Sequence, residues 1–357
     1  MADITQPAAS PVRVEDTHVR EFLPLLTPSA VKAVHPNQSA QLIAQTRQEI
    51  ADVIHGNDSS RLVIVVGPCS IHDVAAAYDY AQRLVELRHR YEEELVIVMR
   101  TYFEKPRTTV GWTGLVYDPH LDGSEDIPAG IDVSRRLLVD INRLGMPCAV
   151  ELLDPITPQF YADLVAWAAI GARTVESQVH RQLASGLSMP VGFKNSTDGR
   201  VKVAVQAMEA AARPHSFFGI TTDGEVAMVR TEGNPDTHIV LRGGTAGPNF
   251  DALAVEAAVA VVAGRQVARP IMVDCSHGNS LKDHHRQTPV ARDVLAQVRA
   301  GRNEIMGLMI ESHLSEGRQD WKPNTPLAYG RSITDACIGW DETAALLEEC
   351  ASAVRGR

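Results

Sequence analysis

The feature that most constrains this chain is a rhythm that begins at Arg61. Short apolar or β-branched runs alternate there with longer stretches of helical periodicity. The runs are "RLVIVVGPCS", "ELVIVMRTYF", "MPCAVELLD", "GARTVES", "MPVGFKN", "HIVLRGG", "RPIMVDCSHG" and "IMGLMIESH". Helical spacing fills the segments between them, such as 74–90, 158–170, 201–213, 250–264 and 282–300. Strands this continuously apolar are covered on both faces, and strand–helix alternation makes them parallel. Eight runs predict an α/β fold of the closed (β/α)8 TIM-barrel type, rather than an open doubly wound sheet. Such a barrel takes about 250 residues. The 357 residues supply them over 61–357, after an N-terminal extension over 1–60. The extension is polar, carries Pro24, Pro28 and Pro36, and ends on a helix expected over 39–54.

Two interruptions fit this frame. "HSFFGITTDGEVAMVRTEGNPDTH" alternates around the turn "TTDGE", which predicts an inserted β-hairpin over about 215–236. "SEGRQDWKPNTPLAYGRSITDACIGW" is a long Gly/Pro/Asn-rich loop after the eighth run, and loops of that length in compact domains commonly carry function. The 45% hydrophobic and 22% charged content is that of a soluble globular protein. No apolar run is long enough to cross a bilayer. The start, "MADITQPAASPVRVEDTHVREF", lacks the basic-then-apolar pattern of a secretion signal. Five widely spread cysteines (Cys69, Cys148, Cys275, Cys337, Cys350) suit reduced thiols in the cytoplasm. A formal net charge of −10 argues against nucleic acid or an anionic membrane as partner.

In a parallel barrel the reacting groups lie where strands finish. The eight ends deliver Cys69, Arg100, Glu151, Arg173, Lys194, Arg242, His277 and Glu311. One charged residue at a strand end is routine; one at every end forms a set. Cys69, His277 and Glu311, with Asp335 from the long loop, offer S, N and O donors. Such a mixture suits a divalent first-row metal without choosing among them. Taken singly, Cys69 reads as a buried small hydrophobe and His277 as a turn histidine. The second group is cationic: Arg100, Lys105, Arg107, Arg173, Lys194 and Arg242, set beside glycine or turn residues in "RGG", "GFKN" and "FEKPRTT". Forked guanidinium groups recognise phosphate and carboxylate. In an acidic chain these cations call for an anionic ligand, with Glu151, Glu176 and nearby aspartates pairing some of them. Lys194 could instead form a Schiff base, a role that a metal would make redundant.

The stretches "GPCSIHD", "MRTYFEKPRTTVGWTGL", "GARTVESQVHR", "PVGFKN", "HIVLRGG", "VDCSHGNS", "GLMIESHL" and "SITDACIGW" together resemble the microbial class I 3-deoxy-D-arabino-heptulosonate 7-phosphate synthases. The likeness runs from about Gln38 to the C-terminus. It implies a catalytic (β/α)8 barrel that condenses phosphoenolpyruvate with D-erythrose 4-phosphate and water, the first step of the shikimate pathway to chorismate and the aromatic amino acids. It also implies a divalent metal, with Mn²⁺, Fe²⁺, Co²⁺ and Zn²⁺ all admissible, and assembly into homodimers or homotetramers. Carried over residue by residue, the metal ligands are Cys69, His277, Glu311 and Asp335. Phosphoenolpyruvate falls to Arg100, Lys105, Arg173, Lys194 and Arg242, with Glu151 nearby, and the erythrose phosphate to Arg107 and Thr108. Arg173 and Arg242 then clamp a phosphate, Arg100 and Lys194 hold a carboxylate, and Lys105 moves the proton near the aldehyde. The metal would act there as a Lewis acid. "ARTVES" and "FKNSTDG" depart from the commoner family forms, but beside the site residues and not at them.

The same resemblance makes the extension and hairpin a regulatory and oligomerisation region, with an aromatic amino acid held by Pro158, Gln159, Ser188, Phe217 and Gly219. Tryptophan-inhibited relatives tend to carry glycine where Pro158 stands, which disfavours tryptophan. Glycine at 219 leaves room for a ring hydroxyl, which favours tyrosine over phenylalanine; the alternative is that Gly219 only shapes the hairpin. Three rival functions remain at this point. An octulosonate-phosphate synthase would lack the "KPRTT" form, a metal-dependent aldolase would need no phosphoenolpyruvate, and a regulatory barrel would have lost its activity. Intact Cys69, Lys105, His277, Glu311 and Asp335 stand against the last.

Overall fold

A computed structural model describes residues 14–107, 111–264, 267–322 and 326–356. In chain order its strands are β1 (Leu62–Gly67), β2 (Leu95–Arg100), β3 (Cys148–Leu152), β4 (Trp167–Ile170), β5 (Val191–Lys194), β6 (Ser216–Ile220), β7 (Val226–Arg230), β8 (Thr237–Leu241), β9 (Ile271–Asp274) and β10 (Ile305–Glu311). Eight of them close into a barrel in the order β1-β10-β9-β8-β5-β4-β3-β2. All its pairings are parallel, so the expected (β/α)8 fold is the fold observed. The remaining two, β6 and β7, pair antiparallel as the inserted hairpin.

Period-two alternation sorts each strand between two cores. Leu62, Ile64 and Val66 of β1 pack outward with helix residues such as Ala77 and Leu84. Val63 and Val65 face inward with Val96, Val98, Trp167, Val240 and Met272. Gly192 makes room for the largest of these, because a Cβ there would stand 2.5 Å from Trp167 Cζ2. Helix α1 (Pro28–Val34) is capped by the Thr27 hydroxyl, which accepts from the Ala30 N–H. Helix α2 (Ala40–His55) then ends at Gly56 in the left-handed conformation. Its Ile50, Val53 and Ile54 are fully buried among the inward strand residues. This part of the extension is thus built into the barrel core.

Helix α3 (Val74–Arg90) runs as its spacing predicts, with the Asp73 carboxylate accepting from the Ala76 N–H at its start. The segment 158–170, spaced like one helix, is different. It divides into α5 (Pro158–Tyr161), a 3-10 turn (Ala162–Leu164) and then β4, so the fourth strand precedes "GARTVES" and does not run through it. The alanines of "AWAAIGA" favour helix intrinsically, but burial on both faces overrides that preference. The helices α4 (Ile127–Arg143), α6 (Gln178–Ser185), α7 (Val201–Ala211), α8 (Ala252–Val262), α9 (Gln287–Arg299) and α10 (Trp340–Arg355) complete the outer layer. The loop after β10 folds back on itself through bridges between Gly317 and Cys337 and between Arg318 and Ser332, which brings Asp335 over the barrel. All five cysteines are free and buried. No helix among the described residues is long and apolar enough to cross a membrane.

Candidate active site

A cavity of about 330 Å³ opens at the C-terminal ends of the strands, lined by Arg100, Lys105, Arg107, Glu151, Arg173, Lys194, Arg242, His277 and Asp335. The strand ends therefore bring together most of the residues that the sequence singled out. Thr108 lies outside the described residues.

One side of the cavity holds the donor set. Cys69 sits two residues past β1, Glu311 is the last residue of β10, and Asp335 comes from the long loop; their ligand atoms lie within 4.8 Å of one another. His277 joins them with Nε2 3.6 Å from Glu311 Oε1. Its backbone is left-handed at φ 54°, a conformation that costs a non-glycine residue energy and concentrates at functional sites. Lys105 Nζ stands 2.8 Å from Cys69 Sγ and 3.6 Å from Asp335 Oδ2. Burial, reinforced by the Glu311 carboxylate, pushes the Cys69 thiol up to about 12. The Lys105 ammonium holds the Asp335 carboxyl well below the usual carboxylate range. A divalent cation brought among these groups would deprotonate the thiol outright. Thiolate, imidazole and two carboxylates form a donor set that fits a first-row divalent metal.

The other side is cationic. Lys194 Nζ donates to Glu151 Oε2 at 2.9 Å and lies 3.8 Å from Asp274 Oδ2. Arg100 Nη2 donates to Glu311 Oε1 at 3.1 Å, and its guanidinium stacks 3.9 Å from the centre of the Tyr102 ring. Arg100 Nη1, also buried, has no hydrogen-bond partner among the described residues. Burial opposes the charge on Glu151, yet the Lys194 ammonium outweighs it and brings the carboxyl down to about 2. Burial likewise opposes the charge on Lys194, but Glu151, Tyr102 and Asp274 raise the ammonium above its ordinary value. A lysine held protonated in this way is a poor Schiff-base nucleophile. Gly171 leaves the space that Glu151 occupies, because a Cβ there would collide with Glu151 Oε1. Glu176 pairs instead with Arg200, at 3.3 Å, away from this cluster. Arg107 is anchored by Nε donating to the Trp112 carbonyl at 2.7 Å.

Tyr102, Asp274 and Lys282 belong to this neighbourhood and were not singled out in the sequence. Asp274 carried a signal, since it lies two residues beyond the inward-facing Met272 and so shares its face. Tyr102 and Lys282 sit on loops, where no periodicity marks them.

A second cavity, of about 630 Å³, lies between α5, α6 and the hairpin. Pro158, Gln159, Ser188, Phe217 and Gly219 all line it, with Val179, Leu183 and Val229 among the apolar remainder. A Cβ on Gly219 would stand 2.7 Å from Val229 Cγ2, so the cross-strand valine accounts for the glycine.

Fold and site together define a class: a (β/α)8-barrel enzyme whose mouth is built for an anionic substrate beside donors that suit a divalent metal. Comparison with known proteins narrows the class. Residues 34–348 match the model of the DAHP synthetase I family. The chain is 51% identical over 345 residues to the Phe-sensitive phospho-2-dehydro-3-deoxyheptonate aldolase of Escherichia coli K12, covering 96% of this chain and 98% of that one. It is 50% identical over 348 residues to the Tyr-sensitive enzyme of the same organism, covering 96% and 97%. A solved phospho-2-dehydro-3-deoxyheptonate aldolase from Francisella tularensis superposes with a TM-score of 0.92 at 47% identity, over 95% of this chain and 99% of that one. The chain belongs to the DAHP synthetase I family.

Proposed function

We infer that the barrel mouth condenses phosphoenolpyruvate with erythrose 4-phosphate and water, giving 3-deoxy-D-arabino-heptulosonate 7-phosphate and inorganic phosphate. This is the first step of the shikimate pathway. The observation that carries the reading is Arg100 Nη1, a buried guanidinium nitrogen without a partner among the described residues, in a cavity that also holds Lys105, Arg107, Arg173, Lys194 and Arg242. A buried guanidinium N–H left without an acceptor is costly, and a ligand anion would complete it.

In this reading Arg173 and Arg242 hold the phosphate of phosphoenolpyruvate, and Arg100 and Lys194 hold its carboxylate. Arg107 and Thr108 hold the phosphate of the aldehyde substrate. The enol carbon C3 attacks the aldehyde carbon, and Lys105 gives a proton to the oxygen that becomes a hydroxyl. Water adds to the cation left at C2 and loses one proton; the C2–O bond to phosphate then breaks as the new hydroxyl gives its remaining proton to the departing phosphate, which leaves the ketone. Fixing both substrates at the strand ends supplies much of the acceleration. Cys69, His277, Glu311 and Asp335 would hold the metal, and a divalent ion there supplies Lewis-acid polarisation of an oxygen. Replacing Arg100 by Gln should raise the KM for phosphoenolpyruvate by about 10–100-fold, the scale of a lost charged hydrogen bond. Its steady-state kinetics check this, and an unchanged KM would remove Arg100 from the substrate site.

The second cavity suits an aromatic amino acid, as the names of the Phe-sensitive and Tyr-sensitive relatives suggest for this family. We take tyrosine as the effector, on the glycine at 219, which adds no polar side chain of its own to a wall that Val229 fills. Initial rates at saturating tyrosine and at saturating phenylalanine separate the two: inhibition by tyrosine is expected, and inhibition by phenylalanine alone would overturn the choice. Phe218, Val226 and Met228 of the hairpin are 92%, 82% and 64% exposed, and Phe22 and Leu23 of the extension 76% and 73%. Large apolar side chains left open in this way support a homodimer or homotetramer built on these elements. The cytoplasm is the compartment that suits the free cysteines.

A further inference from the structure

We propose that Asp274 is a positioning residue that ties the metal-ligand face of His277 to Lys194, the cation that holds the enol substrate. The proposal rests on the site reading given above. Asp274 ends β9 and is fully buried. Its Oδ1 accepts from the Ser276 N–H at 3.0 Å and from the Ser276 hydroxyl at 2.6 Å. Among the described residues its Oδ2 makes no well-aligned hydrogen bond, and two charged or titratable groups face it: His277 Nδ1 at 2.9 Å and Lys194 Nζ at 3.8 Å. One carboxylate thus meets a residue from each half of the site.

The hydroxyl of Ser276 settles which nitrogen of His277 carries the proton. Its hydrogen is directed to Asp274 Oδ1, so toward His277 Nδ1, 2.7 Å away, the serine oxygen offers lone pairs only. A bare Nδ1 would then meet the serine oxygen and the Asp274 carboxylate lone pair to lone pair. A proton on Nδ1 makes both contacts attractive and leaves Nε2 as the lone-pair nitrogen, on the side of Glu311 Oε1 at 3.6 Å. The ring N–H thus reaches the Asp274 carboxylate through Ser276 Oγ, with the Oδ2 charge 2.9 Å away; outer partners of this kind orient ligating histidines, and losing one typically weakens metal affinity by about 10–100-fold. On the other side, Lys194 keeps its place between Asp274 and Glu151. Without Asp274 the ammonium has one anchor instead of two.

The test uses metal-stripped full-length protein titrated with Co²⁺, read by the thiolate-to-cobalt absorption that Cys69 would give. Wild type, Asp274→Asn and Glu151→Gln are compared, and phosphoenolpyruvate affinity is measured by calorimetry on the same metal-free samples. Asp274→Asn should weaken Co²⁺ by about 10–100-fold and loosen phosphoenolpyruvate as well, whereas Glu151→Gln should loosen phosphoenolpyruvate and leave Co²⁺ affinity unchanged. Unchanged Co²⁺ or phosphoenolpyruvate affinity in Asp274→Asn would overturn the proposal. No thiolate band in wild type would overturn the site reading and the proposal with it. Should Asp274→Asn not fold, imidazole nitrogen shifts of His277 in Zn²⁺-loaded wild type decide: the Nδ1–H tautomer is expected, and the Nε2–H tautomer overturns it.

Discussion

Glu104 shows how much one residue's surroundings can change its chemistry. It stands next to Lys105 at the cavity but is almost fully buried, accepting from Thr157 Oγ1 at 2.8 Å, Tyr161 OH at 2.7 Å and the Asp154 N–H at 2.8 Å. Burial pushes its carboxyl up to about 7, and these three hydrogen bonds only partly oppose the rise. The native state therefore holds this proton more tightly than the unfolded chain does. Its contribution to stability is fully present below the ordinary value of 4.5 and is lost as pH rises through about 7. The loss is on the order of 3 kcal/mol at about 1.4 kcal/mol per pH unit. Glu104→Gln cannot titrate, so wild type should lose stability relative to the variant between pH 4.5 and 7.5. Urea midpoints for both proteins at those two pH values check this, and parallel behaviour would contradict it. None of this was legible in the sequence, because the partners of Glu104 come from a segment about fifty residues further on and meet it only through the fold.

At the scale of elements, local signals served where they agreed with packing. Helix α3 begins and ends where its spacing says, since the apolar face, the Asp73 cap and the basic last turn all point the same way. Strand β4 was misplaced because four buried residues, two of them alanine, carry too little β preference to outvote a helical spacing. The helix over 39–54 was legible as a helix, but its partner was not, since an amphipathic stripe does not say what it will face. That stripe closes the barrel floor. Truncating Ile54, fully buried there, to Ala should cost about 2–5 kcal/mol of stability, the usual range for an aliphatic core residue. Denaturant unfolding of the full-length variant measures the cost; a loss below about 0.5 kcal/mol, typical of surface sites, would contradict the placement of α2 in the core.

For the whole molecule, closing eight parallel strands turns positions scattered from 69 to 335 into one mouth. Cys69, His277, Glu311 and several of the cations were legible because a parallel barrel puts every strand end on the same face, whereas Asp335, on the long loop, was assigned with them by the family likeness. What that rule does not reach is the support behind them: Asp274 under His277, Tyr102 beneath Arg100, and Gly171 making space for Glu151. These follow from side-chain directions that only the closed barrel fixes. The central claim is that this mouth joins phosphoenolpyruvate to a four-carbon sugar phosphate with a divalent metal in place. The most direct measurement follows loss of the enol's ultraviolet absorbance on metal-stripped protein and again after Mn²⁺ is added, with erythrose 4-phosphate or arabinose 5-phosphate as the aldehyde. Loss that requires both Mn²⁺ and erythrose 4-phosphate is the predicted result. Loss that persists under strong chelation, or with neither sugar any loss at all, would contradict the account.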